Sequence, residues 1–340
     1  MTRAAGTTVA DLDIAVGGRE RERGEIVQIA RAAEEAGMGA FWVTESIGRD
    51  AFSILTELAL TTRRIALGTG IVNVFSRAPA TLAQAAASLL ELMGPRTLNL
   101  GLGTSGRALV ERYLGVPFQR AVTRLGETVR AIDTAFTTGK LPADGEVFSL
   151  AGYPLGIAAD RSRLRLYVAG HSRRTLDVTA AHADGWLPIW PSRSGRGGHL
   201  QALDLAAEAA GRRRPAVAGY IYGLVGGDPV DVAPLRATLA WYVAANGTAY
   251  RRLFDGYGFG AETERICQLW DAGERDRARA AVTDEMLGDT TLHGSPAEVL
   301  RQAGAFRRGG VDRPILRLPG QLAADDCVRM IADVAAAGRH

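Results

Sequence analysis

Along most of the 340-residue chain, short apolar runs alternate with longer stretches in which apolar residues return every three or four positions. The short runs, 13–16, 41–43, 65–67, 98–100, 166–169, 186–189, 217–225 and 315–318, read as buried strands. Between the first of them the period is helical. Residues 24–36 place Ile26, Val27, Ile29, Ala30 and Ala33 on one face and stop at Gly37. Residues 49–61 carry Phe52, Leu55, Leu58 and Ala59 in one stripe, and 80–93 end at Gly94-Pro95. Strand and helix in alternation predict parallel β/α units, and eight strands is the number that closes a barrel. The expected fold class is therefore α/β, a (β/α)8 TIM barrel. Two stretches are too long for simple crossovers: about 107–160, with a helix over 122–136, and about 231–310, with at least three helices. They are predicted as rim insertions in a single domain spanning 1–340, because the alternation resumes after each.

Composition narrows the function classes. An apolar content of 47% supplies a large core, no run reaches the length of a membrane span, and residues 1–9 show no export pattern, so a cytoplasmic protein is expected. The net charge of +3 is interspersed, without basic and aromatic alternation, which argues against a nucleic-acid partner. Lys140 is the only lysine. Cys267 and Cys327 sit far apart in helical patterns and read as free buried thiols. The five histidines lack metal-ligand spacing, so no metal is expected.

The candidate chemistry lies where strands end. Gly68-Thr69-Gly70-Ile71-Val72-Asn73 and Gly101-Leu102-Gly103-Thr104-Ser105-Gly106 are two successive glycine-built turns, open to backbone approach by a flat, phosphate-bearing group. The second fits G-x-G-x-x-G, but three β/α units precede it and no acidic residue closes the next strand, which argues against a dinucleotide fold. Val168-Ala169-Gly170-His171-Ser172-Arg173-Arg174 follows the fifth strand and opens a helix. Its free amides, with Arg173 or Arg174, make an anion site, unless Ser172 serves only as an N-cap. Trp42, Trp186 and Trp190 stand at or past strand ends, as pocket lining or as core.

Taken in order, Trp42-Val43-Thr44-Glu45-Ser46, Gly48-Arg49-Asp50-Ala51-Phe52, Leu67 to Ile71, Arg77-Ala78-Pro79-Ala80 and Leu100 to Ser105 resemble the bacterial-luciferase-like flavin and deazaflavin oxidoreductases. Val110-Glu111-Arg112, Gly115-Val116-Pro117-Phe118, Ala183-Asp184-Gly185-Trp186 and Gly294-Ser295-Pro296 extend the match over essentially residues 10 to 320. The resemblance implies FMN or coenzyme F420 at the carboxyl ends of the barrel strands, and is nearer the F420-dependent reductases. It also implies a cis peptide at Gly70-Ile71 behind the ring. The implied cofactor-binding residues are Glu45, Gly70, Ile71, Asn73, Gly103, Thr104, Ser105, Ala169, Gly170, His171, Ser172 and Arg173. Glu45 faces the cofactor in this reading and pairs with Arg49 or Arg77 in the rival one.

The expected activity is hydride transfer from reduced F420 to an activated C=C or C=N of a small molecule, with Glu45, Ser46, His171 or water as proton source. The alternatives are a reduced-FMN monooxygenase and a non-catalytic flavin-binding or partner subunit. Family sugar-phosphate dehydrogenases look to carry a histidine where this chain has Ser46, an acid near Gly106, and phosphate-binding lysines, so that activity is not expected. A homodimer is implied by analogy, with Ala83, Ala86, Ala87 and Leu90 either at the subunit contact or packed on the barrel's own strands.

Overall fold

The computed structural model describes residues 7–227 and 229–339; residues 1–6, part of the segment read for an export pattern, lie outside the described residues. Among the described residues nine parallel strands form the sheet: β1 Asp13–Gly17, β2 Ala40–Thr44, β3 Ala66–Asn73, β4 Leu98–Gly103, β5 Leu164–Val168, β6 Gly185–Trp186, β7 Ala216–Val225, β8 Leu292–Gly294 and β9 Arg313–Arg317. The order runs β6-β5-β4-β3-β2-β1-β9-β7, and β6 pairs with β7 to close an eight-stranded barrel. The expected TIM barrel is the fold. β8, absent from the sequence expectation, adds to the outer end of β7 at Gly223 to Val225.

The crossover helices are α1 Arg23–Glu35, α2 Ala51–Thr61, α3 Pro79–Met93, α4 Ala121–Thr138, α5 Arg173–His182 and α6 His199–Ala209. Five more follow: α7 Ala233–Ala245, α8 Thr248–Gly256, α9 Gly260–Asp271, α10 Arg275–Ala280 and α11 Asp284–Thr290. α12 Pro296–Arg308 and α13 Ala324–Ala337 complete the chain. Each early helix starts and stops where local chemistry dictates. Asp50 caps α2 by accepting from the Ser53 amide, Pro79 opens α3, and Gly94 ends it in the left-handed region.

Long connections flank α4 and follow β7. α4 is the crossover of β4 itself, so the first excursion follows it, over 139–163, where buried Glu127 accepts amide hydrogens from Glu146, Val147 and Phe148. The second is α7 to α11, after which β8 and α12 rejoin the barrel.

Three apolar clusters organise the molecule. The largest lies between strands and outer helices, and a smaller one, with Trp42, Tyr167, Leu187, Tyr220 and Ile315, fills the barrel interior. A third holds α7, α8, α9 and α11 around Trp190 and Phe254. Trp42, Trp186 and Trp190 are all buried, which settles them as core. Ala83, Ala86, Ala87 and Leu90 are buried within their own chain, so the alanine face is not available for subunit pairing. Among the described residues no helix is long and apolar enough to cross a membrane, and no group of three or more His, Cys, Asp or Glu is placed to hold a metal ion. Both cysteines are free; Cys327 is buried and Cys267 half-buried.

Candidate active site

The carboxyl ends of β3, β4 and β5 come together at one side of the barrel mouth. β3 runs on through the segment read as a turn and reaches Asn73, and β4 reaches Gly103, because each keeps its parallel ladder to the neighbour. The register slips between Thr69 and Val72, and the Gly70–Ile71 peptide is cis. Ile71 is left half-buried at the top of the interior cluster, beside Ala169.

The glycines are less bare than their sequence implies. A Cβ at Gly70 would lie 2.7 Å from the Tyr220 ring, and one at Gly103 would lie 3.0 Å from Ile71 Cδ1. Gly68 and Gly101 likewise face Trp42 and the Thr69 carbonyl. These positions are glycine because barrel neighbours already occupy the space. Gly106 alone in the second turn opens onto free space.

A polar group at this side of the mouth is left without a partner. Asn73 Oδ1 accepts from the Phe75 amide at 2.8 Å, which fixes the side chain, and its buried Nδ2 has no acceptor. The His171 residue is half-buried, yet both ring nitrogens are sealed from solvent, with the Ile189 backbone as their polar neighbour. Its ring stands edge-on to Trp186 and His199, at 5.9 and 5.4 Å between centroids. Burial, and then the neighbouring His199, push the His171 pKa down to about 3, so the imidazole is neutral near pH 7. Trp186 is held by its Nε1, which donates to the Gly170 carbonyl at 2.8 Å. Ser172 is the N-cap of α5, accepting from the Thr175 amide, and exposed Arg173 pairs with Asp177 one turn on. Thr104 and Ser105 are half-buried on the β4 turn, with Ser105 in the left-handed region at φ 54°.

Glu45 forms the ion pair with Arg77. Its carboxylate takes both guanidinium nitrogens of Arg77 at 2.8 Å and accepts the Ala51 amide at the start of α2 at 2.9 Å. Arg77 also pairs with Asp50, and these acids hold its pKa above the ordinary arginine value. Ser46 is exposed in the loop after β2. The structure thus brings Gly70, Ile71, Asn73, Gly103, Ala169, Gly170 and His171 to one side of the mouth. Glu45 and Ser46 lie at the end of β2, next to it.

Sequence reasoning missed the floor and far side of the mouth. Tyr220 stands in the interior beside Gly70 and shares a hydrogen bond with Thr44, and burial pushes its pKa up to about 12. Arg317 is buried near Tyr220 and Tyr222 and pairs with Glu20. The signal was present in Gly219-Tyr220-Ile221-Tyr222-Gly223, where alternation puts both tyrosines on one strand face.

Comparison with known proteins matches residues 6–313 to the family model for luciferase-like monooxygenases. The 5,10-methylenetetrahydromethanopterin reductase of Archaeoglobus fulgidus is 27% identical over 302 residues, covering 87% of this chain and 90% of that one. The solved coenzyme F420-dependent tetrahydromethanopterin reductase of Methanopyrus kandleri superposes with a TM-score of 0.81 at 18% identity, covering 98% of this chain and 99% of that one. A monooxygenase from Streptomyces bottropensis gives 0.67 at 20% identity, with 96% and 97% covered.

Proposed function

The chain belongs to the luciferase-like monooxygenase family and is an oxidoreductase, and from that premise we propose that it uses coenzyme F420 to reduce an activated C=C or C=N of a small molecule. The observation that carries this reading is the β3 and β5 side of the mouth, where an apolar Ile71 ridge and the His171 ring adjoin the buried Asn73 Nδ2, which no protein group satisfies. Leaving such an atom unpaired costs about 1–3 kcal/mol, so a ligand that pairs with it gains correspondingly. The residues fit a planar heterocycle carrying polar edges. Ile71 and Ala169 would lie against its face, and Asn73 Nδ2 would donate to it. The amides at the start of α5 would meet an anionic arm. When bound, the deazaflavin supplies hydride; the chain supplies orientation and a water-poor wall.

Fluorescence titration with F420 tests the proposal. Micromolar binding that falls at least tenfold in Asn73→Ala is expected. Failure to bind F420, together with oxygen uptake on supplying reduced FMN, would transfer the assignment to the monooxygenase alternative, whose fold this chain shares.

A further inference from the structure

Two hydroxyls meet beside the Ile71 ridge, in the uppermost layer of the barrel interior. Ala40 and Trp42 of β2 belong to the interior cluster, so Thr44, two residues further on, faces inward too. Val43 pairs with Thr69 in the ladder to β3, which sets Thr44 level with Gly70. The space that Gly70 leaves is filled from the far wall. Tyr220 stands on β7, opposite β3 in the closed strand order, and its ring reaches across to lie 2.7 Å from the point a Gly70 Cβ would take. At the end of that reach its hydroxyl meets Thr44 Oγ1.

The pair has a direction. Tyr220 is 5% exposed, and among the described residues Thr44 is the one hydrogen-bond partner of its hydroxyl. Burial pushes the phenol pKa up to about 12, so it keeps its proton near neutral pH. Were Thr44 the donor, that proton would be left buried and unmet, at the full desolvation cost of the group. The phenol therefore donates and Thr44 Oγ1 accepts.

This leaves the threonine's own proton. Thr44 is half-buried at the strand end, its carbonyl already accepts the Gly18 amide at 3.1 Å, and no acceptor among the described residues takes its O–H. The nearby acids are engaged elsewhere: Glu45 with Arg77 and the Ala51 amide, Glu20 with Arg317. A branched side chain pinned on one side by Tyr220 offers that proton in a narrow range of directions.

We propose that Thr44 is a cofactor-binding residue whose O–H donates to a carbonyl or ring-nitrogen lone pair of the heterocycle seated on Ile71, and that Tyr220 is the positioning residue that orients it; the inference rests on the F420 reading above. Together with Asn73 Nδ2 it gives the mouth two fixed donors, one from β2 and one from β3. Ile71 offers only an apolar face, on which a planar ring could turn. Two donors fix the ring within its own plane.

Fluorescence titration of the full chain with F420 tests this in wild type, Thr44→Val, Thr44→Ser, Tyr220→Phe and the Thr44→Val/Tyr220→Phe double variant, thermal melts showing that each is folded. Thr44→Val should weaken F420 about five- to tenfold and Tyr220→Phe about threefold, as expected for one hydrogen bond lost and one misdirected. Thr44→Ser, which keeps the hydroxyl, should stay within about twofold of wild type. Once Thr44 is valine, Tyr220→Phe should add nothing, because the phenol acts through the threonine. A Tyr220 that serves only as packing would cause the same loss in both backgrounds, which would overturn the proposal. So would wild-type affinity in Thr44→Val or in Tyr220→Phe. Failure of the wild-type chain to bind F420 would bring down the preceding reading and this one with it, whereas binding that is indifferent to the two hydroxyls would refute this one alone.

Discussion

At the residue scale, Glu45 at the end of β2 is held by an ion pair and an amide hydrogen bond. Arg77 is shared between Glu45 and Asp50, Glu45 also accepts the first amide of α2, and Arg77 is one-fifth exposed. Arg77→Ala leaves Glu45 without its bidentate partner and should cost about 2 kcal/mol; urea unfolding at pH 7 checks it. His171 makes the opposite kind of prediction. Its folded pKa is pushed down to about 3, below the unfolded value near 6.5, so the unfolded chain takes up a proton first as pH falls. Its contribution is complete above about pH 6.5 and is lost progressively down to about pH 3. His171→Phe should flatten that acid limb of the urea midpoint against pH, and an unchanged limb would refute the buried neutral state. The candidate site was legible where a motif sits at a strand end, as with Asn73, Ala169 and His171. Glu20 and Arg317 were not, because their pairing joins residues nearly 300 positions apart and no local pattern announces it.

At the element scale, β4 shows how one glycine motif hides several constraints. A Cβ on Gly101 would collide with the Thr69 carbonyl, which belongs to the adjoining strand and has no freedom to retreat. At Gly103 the neighbour is the tip of Ile71, at 3.0 Å, and at Gly106 there is none within 4 Å. The alanine series should therefore be graded: Gly101→Ala severely destabilised or unfolded, Gly103→Ala down by about 1–2 kcal/mol, Gly106→Ala within about 0.5 kcal/mol of wild type. Thermal melts of the three variants give the order, and a flat series would contradict the packing. The same elements show what periodicity can tell. The helices predicted at 24–36, 49–61, 80–93 and 122–136 are found within two residues at each end, since a sustained apolar stripe and a cap define each of them. β3 and β4 extend past their predicted ends because glycines read as turn formers are filled from across the barrel. β6 stops at Trp186, and Ile189 keeps a single bridge to Tyr220, because Pro188 between them offers no amide to the ladder. β8, three residues long, carries too little pattern to be seen.

At the scale of the whole molecule, the barrel and the α7 to α11 excursion keep separate cores that meet at few residues. Trp190 is the clearest junction: fully buried, it stacks on Tyr222 of β7 at 4.8 Å and meets Tyr242 of α7 and Phe254 of α8 edge-on. Tyr257 reinforces it by donating to the Trp190 carbonyl at 3.0 Å. The excursion supplies Trp241 and Tyr242 to a cleft of about 470 Å³ beside Tyr222, whereas Ile71, Asn73 and His171 stand on strands and turns of the barrel. Trp190→Ala should cost about 3–5 kcal/mol, but unevenly. Amide exchange should rise most in α7, α8 and α9, which lose their anchor, and least in β1 to β4, whose contacts do not include Trp190. Uniform acceleration of exchange across barrel and excursion would mean that the cores are one cooperative unit.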